Sequence, residues 1–487
     1  MSKQVAFRAA AGAAIGGGHV VRSVAIANAL RSAGAACTFF VNEEATKAAP
    51  LLIQSGHRLI ATPADNEAAI ALARGHGRFD WLVVDDYSLA AAQEAPWRAV
   101  ADNILVVDDL ANRAHDCDML LDSNPSRTAE DYSPLVPPGA RLLLGTPYAP
   151  LRAEFSRQRP AALARRAVTT VPQRLLVSFG LVDPEGITAE AVQAIAAALP
   201  DLAMDVVLGP LSRSRGKIEA LACPQVTLHI DPPSMSELMI ASDIALGAGG
   251  STAWERACLG LPAVAVILAD NQRALALGLE KRGALRATEK NGGHWREVIA
   301  ILKNLHADLA AWRAMSLRAA LACDGLGARR LTAEILPPHS KSGLPVRLRP
   351  AVPFDTDRIF QWQTAPGARI FSSNPQPPSW EGHQSWMAQK LSDPGCIFSV
   401  IEEDDAPVGV LRMDQRLDGS FIVSVLVADA ARGRGVGLAA LRAGAAMMRG
   451  HTLWAKIDDR NVNSLRMFAR AGFTRHSDTL YRHEISQ

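Results

Sequence analysis

The stretch Ile15-Gly-Gly-Gly-His-Val-Val-Arg22 is a glycine-dense loop that runs directly into an apolar-periodic helix. Its residue types suit a phosphorylated ligand. Gly16, Gly17 and Gly18 let backbone N–H groups approach a pyrophosphate, and the unpaired N–H groups and positive dipole end of the helix stabilise its charge. His19 stands at the helix start, where a side chain titrating near neutral pH can move a proton. The loop departs from the dinucleotide pattern G-x-G-x-x-G, whose third glycine would fall at Val21, so a dinucleotide cofactor is disfavoured. Taken alone, the same residues read equally as a tight strand-to-helix turn with a surface histidine.

Two more turns of this kind follow. In Gly247-Ala-Gly-Gly-Ser-Thr-Ala-Trp-Glu255, Gly249 and Gly250 place N–H groups at a helix start, with Ser251 or Thr252 as cap. Glu255 lies one turn beyond Ser251, where a carboxylate would bond ribose hydroxyls; a solvated helix glutamate is the plainer reading. The third turn, Arg432-Gly-Arg-Gly-Val-Gly437, adds two arginines and suits the pyrophosphate of a coenzyme.

The elements that position these turns follow from periodicity. Short apolar strands alternate with amphipathic helices from Val5 onward, the mark of parallel βαβ units. Strands are expected at Val5 to Arg8, Cys37 to Val41, Trp81 to Asp85, Ile104 to Asp108, Met119 to Asp122 and Arg141 to Leu144, with helices including Val20 to Ala33 and Leu89 to Val100. Ligands of such sheets bind beyond the carboxyl ends of strands, so Asp85-Asp86-Tyr87 and Asp108-Asp109 point at the same crevice as His19. Any one of these aspartates would equally serve as a helix cap. The alternation restarts at Arg174-Leu-Leu-Val-Ser-Phe-Gly180 and runs through Met204 to Leu208, Val226 to Ile230 and Ile244 to Gly247. The arginines between Arg152 and Arg174 read as a solvated connection. After the linker-like run Pro337 to Pro345 the style changes to α+β. Strands are expected at Val346 to Arg349, Ile397 to Glu402, Pro407 to Asp414 and Phe421 to Val427, and helices at Asp355 to Gln363, His383 to Lys390 and Leu438 to Arg449.

Composition bounds the function. A chain of 487 residues exceeds a single core, and 51 Lys and Arg against 49 Asp and Glu give no field that recruits nucleic acid or an anionic membrane. The absence of a long apolar run or signal-like start predicts a cytoplasmic protein with no membrane partner. Six scattered cysteines without C-x-x-C spacing read as reduced core residues, and no histidine or carboxylate cluster calls for a metal.

Residues 5–336 resemble the UDP-sugar hydrolase of the pseudaminic acid pathway, a GT-B protein related to the glycosyltransferase that makes lipid II. The motifs carrying the resemblance are Ile15 to His19 with Arg22, Val84-Asp-Asp-Tyr87, Val107-Asp-Asp-Leu-Ala111, Leu144-Gly-Thr-Pro-Tyr148 with Arg152, Val177-Ser-Phe-Gly180 with Asp183-Pro184, Gly249-Gly-Ser251 to Glu255, and Asp270-Asn-Gln272. The resemblance implies that His19 is the general base activating water and that Tyr87 and Asn271 hold substrate or water. It further implies that Gly16 to Gly18, Arg22, Asp86, Gly180, Gly249, Gly250, Ser251, Thr252 and Glu255 bind the UDP-sugar, with Glu255 on the uridine ribose. Ala10 stands where the family has an aspartate, and Leu181 where it has the second glycine of a pair.

The last part, residues 346–487, resembles the GNAT acetyltransferases through Arg432 to Gly437 and Asn461-Val-Asn-Ser-Leu-Arg-Met-Phe-Ala-Arg-Ala-Gly-Phe473. Acetyl-CoA is the implied cosubstrate, held by Val425, Val427, Arg432, Gly433, Arg434, Gly435, Val436, Gly437, Asn461 and Ser464. The family's usual tyrosine acid is replaced by Phe468, leaving Tyr481 as a substitute candidate. His383, in Trp380-Glu-Gly-His-Gln-Ser-Trp386, resembles a substrate-contacting segment of nucleotide-aminosugar acetyltransferases and reads equally as a half-buried helix histidine.

The expected fold is therefore α/β GT-B, two Rossmann-like doubly wound domains (1–155 and 156–336), then a linker (337–345) and an α+β GNAT domain (346–487). The implied function is bifunctional: acetylation of a UDP-4-amino-sugar by acetyl-CoA, then hydrolysis to the free diacetamido sugar and UDP. A glycosyltransferase fused to an acetyltransferase, or a hydrolase with an inactive acyl-CoA-sensing module, would carry the same motifs.

Overall fold

The computed structural model describes residues 2–10, 18–42, 50–180, 183, 185–210 and 212–486. Gly16, Gly17, Leu181 and Pro184 thus lie outside the described residues. The chain divides into two compact units, Met1–Ala328 and Arg329–Gln487.

The first unit holds two parallel sheets. Strands β1 (Gln4–Ala9), β2 (Ala36–Val41), β3 (Arg58–Ala61), β4 (Phe79–Asp85), β5 (Ala101–Val107), β6 (Met119–Asp122) and β7 (Arg141–Leu144) form one, ordered β3-β2-β1-β4-β5-β6-β7. Strands β8 (Arg174–Ser178), β9 (Ala203–Leu208), β10 (Val226–Ile230), β11 (Ile244–Ala248), β12 (Ala263–Ile267) and β13 (Arg286–Glu289) form the other, ordered β10-β9-β8-β11-β12-β13. Their inner strands are apolar runs buried on both faces, as crossover helices on either side require. In each sheet the chain first winds outward one way and then returns past its first strand. The crevices open where this reversal falls, between β1 and β4 and between β8 and β11. His19 and Tyr87 follow the first pair; Gly180 and the Gly249 turn follow the second.

The first unit differs from expectation in three respects, each for a physical reason. The helix expected over Leu89 to Val100 is a short helix, Ala91–Glu94, passing into a 3-10 turn, Ala95–Ala99. Pro96 has no N–H to continue the α ladder. Strands β3, β12 and β13 are additional to the expected set: β3 and β13 each begin on an arginine and are only partly buried, and β12 is a continuous apolar run that periodicity alone does not separate from a buried helix.

The third difference is the arginine-rich connection, which is not solvated. It is the helix Ala153–Val168, and Arg159, Arg165 and Arg166 on it close the carbonyl ends of other helices. Arg159 donates to the carbonyls of Cys258, Ala320 and Cys323. Arg166 donates from Nε to Leu259, from Nη1 to Ser242 and from Nη2 to Met239, at 2.7, 3.0 and 2.9 Å. Helix C-termini leave four carbonyls unpaired, and a guanidinium with five donors satisfies several at once. Burial, reinforced by the like charge of Arg165, pulls the Arg166 guanidinium down to about 9, so it remains charged at neutral pH.

In the second unit, β14 (Val346–Pro350), β15 (Cys396–Glu403), β16 (Ala406–Gln415), β17 (Phe421–Val427), β18 (Thr452–Lys456), β19 (Thr474–Arg475) and β20 (Leu480–Glu484) form one sheet, ordered β14-β15-β16-β17-β18-β20-β19. It is antiparallel except for β17 with β18. The Pro337 to Pro345 run, expected as a linker, is folded: Val346 N–H donates to Pro338 at 2.8 Å and Ser340 N–H to Leu344 at 2.9 Å. Four of the six cysteines are core residues as expected, but Cys223 and Cys396 are only half-buried. Among the described residues no helix is long and apolar enough to cross a membrane.

Replacing Arg166 with methionine keeps the aliphatic stem, leaves the Leu259 and Met239 carbonyls without this donor and leaves Ser242 only the 3.5 Å bond from Arg165. The expected loss is about 3 kcal/mol in the urea unfolding transition of the first unit. A loss below about 1 kcal/mol would contradict the capping role.

Candidate functional site

His19 is placed by the helix Gly18–Ser32, one residue inside its start, and it is buried. Its Nδ1 lies 2.6 Å from Asp85 Oδ1 at the end of β4. A carboxylate cannot donate, so Nδ1 carries the hydrogen, and in the neutral ring the lone pair is on Nε2. Arg22, one turn further along the same helix face, donates to Asp85 from Nη2 at 2.6 Å and from Nε at 2.7 Å. The Ser23 hydroxyl adds a bond of 3.3 Å. Burial works to raise the Asp85 carboxyl, but Arg22 and His19 outweigh it and hold the group well below the usual carboxylate range. The result is an ionised, fully buried carboxylate with both oxygens occupied.

Arg22 also reaches Asp109 Oδ2 at 2.8 Å, and the other oxygen of Asp109 accepts from the Tyr87 hydroxyl at 2.6 Å. The Tyr87 ring stands edge-on to His19, with centroids 4.3 Å apart. Burial first, then the charge of Asp109, pushes the Tyr87 phenol well above its ordinary value, although a hydrogen bond with Asn271 opposes this. Asn271 is on the helix Asp270–Lys281 of the second sheet, so the network joins the two halves of the unit. Gly18 meets the second glycine turn here as well. A Cβ on Gly18 would sit 3.7 Å from Ser251 Oγ.

Beneath the second turn, Gly247 must be glycine, because a Cβ there would come within 2.0 Å of the Ser178 carbonyl. Arg256 donates to the Ala248 carbonyl at 2.5 Å, and burial lowers its guanidinium to about 10. Ser251 stands at the N-cap of the helix Thr252–Cys258 without a side-chain cap bond. Glu255 is not a solvated glutamate. It is buried, with Oε1 3.1 Å from Arg152 Nη2. Burial raises its carboxyl, with Arg152 acting against that rise. Gly180 follows β8 with a φ of 107°. Asp183 caps the helix Ile187–Ala198 through the N–H groups of Ile187 and Thr188.

Asp86 turns away from this cluster. Its carboxylate accepts from the N–H and hydroxyl of Ser88, as a turn-capping aspartate does. Successive side chains of a strand point to opposite faces, so only one of Asp85 and Asp86 can meet His19. Asp85 and Asp109 are the acidic members that the motif reading left out of its site. The period-two alternation along β4 is the signal that separates the adjacent aspartates.

In the second unit, β17 pairs with β18 only at Phe421 with Leu453 and Ile422 with Trp454. Beyond that the two strands part. Ala428 N–H bonds to Val408 on the β16 side, so alternation turns the backbone groups of Val425 and Val427 toward the gap. Gly433 and Gly435 have φ of 78° and 85° and lead into the helix Val436–Met447. Arg432 pairs with Asp429 at 2.8 Å, and Arg434 pairs with the buried Glu403. Asn461 caps the helix Val462–Arg470 by accepting from Ser464 N–H at 3.1 Å. Phe468 is buried against Phe473. Tyr481 is half-buried on β20 opposite Ala455. His383 is fully buried rather than half-buried, and its Nε2 donates to the Thr356 carbonyl at 3.0 Å. Burial lowers its imidazolium, more than the Thr356 bond restores it.

Comparisons with known proteins agree with this layout. The acetyltransferase (GNAT) domain model matches residues 346–474. The structure of MurG from Acinetobacter baumannii is similar at 15% identity, with a TM-score of 0.52 and coverage of 69% of this chain and 99% of that one. An uncharacterized protein of Methanocaldococcus jannaschii is 19% identical over 489 residues, with 94% of each chain covered. The chain therefore combines a GT-B glycosyltransferase-like pair of parallel sheets with a C-terminal GNAT acetyltransferase domain.

The depressed Asp85 carboxyl fixes a sign. The group stays ionised in the folded chain at pH values where the unfolded carboxyl is protonated. Its contribution to stability is therefore complete above the unfolded value of about 4 and is lost as pH falls through the lower folded value. The stability difference between wild type and Asp85→Asn is expected to stay level from about pH 8 to about pH 5 and to shrink below about pH 4. A difference that grew on acidification would contradict the assignment.

Proposed function

We propose that the chain is a bifunctional enzyme of pseudaminic acid biosynthesis. The GNAT domain transfers acetyl from acetyl-CoA to the 4-amino group of UDP-4-amino-4,6-dideoxy-N-acetyl-β-L-altrosamine. The first unit then hydrolyses UDP-2,4-diacetamido-2,4,6-trideoxy-β-L-altropyranose to the free sugar and UDP. In this reading residues 1–155 and 156–336 are the two halves of the hydrolase, and residues 346–487 are the acetyltransferase.

The observation that carries the hydrolase reading is the 2.6 Å bond between His19 Nδ1 and Asp85. It fixes the tautomer and leaves Nε2 as a base. Water attacks the anomeric carbon, Nε2 takes its proton, and the bond from that carbon to the UDP oxygen breaks. Asp85 stabilises the imidazolium, Arg22 keeps Asp85 ionised, and the proton then passes to solvent. General-base help of this kind is worth roughly 10²- to 10⁴-fold. Charge developing on UDP meets the start of the helix Gly18–Ser32 and the N–H groups of Gly250 and Ser251 at the second turn. Tyr87 and Asn271 hold sugar or water, and Glu255, once released from Arg152, accepts from the ribose hydroxyls.

For the acetyltransferase, support comes from the gap between β17 and β18 and the turn Arg432 to Gly437. Backbone groups of Val425 and Val427 would pair with the pantetheine arm, and the turn would hold the pyrophosphate. The amine attacks the thioester carbonyl, loses its proton, and expels the thiolate of CoA. Phe468 supplies no acid, and a thiolate leaves with less help than an alkoxide.

His19→Ala is expected to abolish UDP release while leaving acetyl transfer within about twofold, a bound set well below the general-base effect. Product mass spectrometry on the 4-amino UDP-sugar with acetyl-CoA reads both steps at once. Strict dependence of UDP release on an added sugar acceptor would instead establish a glycosyltransferase. Coenzyme binding without transfer would establish an acyl-CoA sensor.

A further inference from the structure

The segment expected to be a linker lies against the candidate coenzyme turn. Lys341 makes two bonds to it: its backbone N–H donates to the Arg434 carbonyl at 2.8 Å, and its Nζ donates to the Gly433 carbonyl at 3.1 Å. These carbonyls belong to consecutive peptides. In a trans peptide the carbonyl and the N–H point in opposite directions, so holding both carbonyls on the Lys341 side turns the N–H groups of Arg434 and Gly435 to the other side. Neither of these N–H groups has a hydrogen-bond partner among the described residues. Two successive N–H groups aimed outward, just ahead of the helix Val436–Met447, make an anion-binding concavity.

The contact is close. A Cβ on Gly435 would meet Lys341 Cγ at 3.0 Å and Lys341 N at 3.2 Å, and the φ of 85° there already favours glycine. The segment is itself braced, with Gly343 N–H bonded to Ser340 and Asp404 N–H to Pro345. On its other flank the turn is tied down by the ion pair of Arg434 with the buried Glu403.

We infer that Lys341 is a positioning residue for the coenzyme diphosphate, acting through the two peptides whose carbonyls it holds. The inference rests on the reading of this turn as the acetyl-CoA site. Lys341 presets the N–H groups before the coenzyme arrives, so less ordering remains to be done on binding. Its positive charge beside the turn also favours a bound anion.

The test uses the full chain, with binding of CoA and of pantetheine, which lacks the diphosphate, followed by calorimetry, together with acetyl-transfer kinetics. Lys341→Met is expected to weaken CoA by about tenfold, as the loss of one charge-assisted bond allows. Pantetheine binding, kcat and the KM for the amino-sugar should be unchanged, and Lys341→Arg should recover most of the CoA affinity. Unchanged CoA affinity in Lys341→Met would overturn the proposal. Equal weakening of CoA and pantetheine would also overturn it, because that marks a general loss of structure. A wild-type chain that bound no CoA would remove the coenzyme reading itself, and this proposal with it.

Discussion

The burial of an ionised Asp85 is the constraint on which the first unit is built. A lone carboxylate with no exposure would be costly enough to take up a proton. Here it is held ionised by a bidentate Arg22 and by the hydrogen on His19 Nδ1. That arrangement needs a strand ending at Asp85 and, beside it, a helix that presents His19 and Arg22 one turn apart. It also needs Asp109, from the end of the next strand, to satisfy the far side of Arg22. The order β1-β4-β5 supplies these positions, because the carboxyl ends of adjacent parallel strands converge on one crevice.

The same constraint reaches the second sheet. Asp109 fixes the Tyr87 hydroxyl, and Tyr87 in turn interacts with Asn271. Polar chains of this kind polarise one another where water is excluded. The base, the arginine that sustains its partner, and Asn271 on a helix of the second sheet are therefore one connected unit.

Much of the layout was legible in the sequence, because parallel strands buried on both faces are continuous apolar runs and glycine turns follow them. The strands Met119–Asp122 and Phe421–Val427 have the bounds their apolar runs predict. What escaped depends on tertiary partners. The arginines after Arg152 look solvated in a sequence, since nothing local shows that Arg159 and Arg166 meet the carbonyl ends of distant helices. Asp85 and Asp86 are chemically identical neighbours, and only strand alternation assigns one to His19 and the other to Ser88. Lys341 sits in a run of prolines and serines that has the composition of a linker, and the carbonyls it holds lie more than ninety residues away in sequence.

The central claim is that water, activated at His19, attacks the anomeric carbon. The most direct measurement is turnover of the diacetamido UDP-sugar in ¹⁸O-labelled water without any acceptor. The account predicts one labelled oxygen on the anomeric hydroxyl of the free sugar and none in UDP. Label in the β-phosphate of UDP, which would signal attack at phosphorus, or no turnover until a sugar acceptor is added, would contradict it.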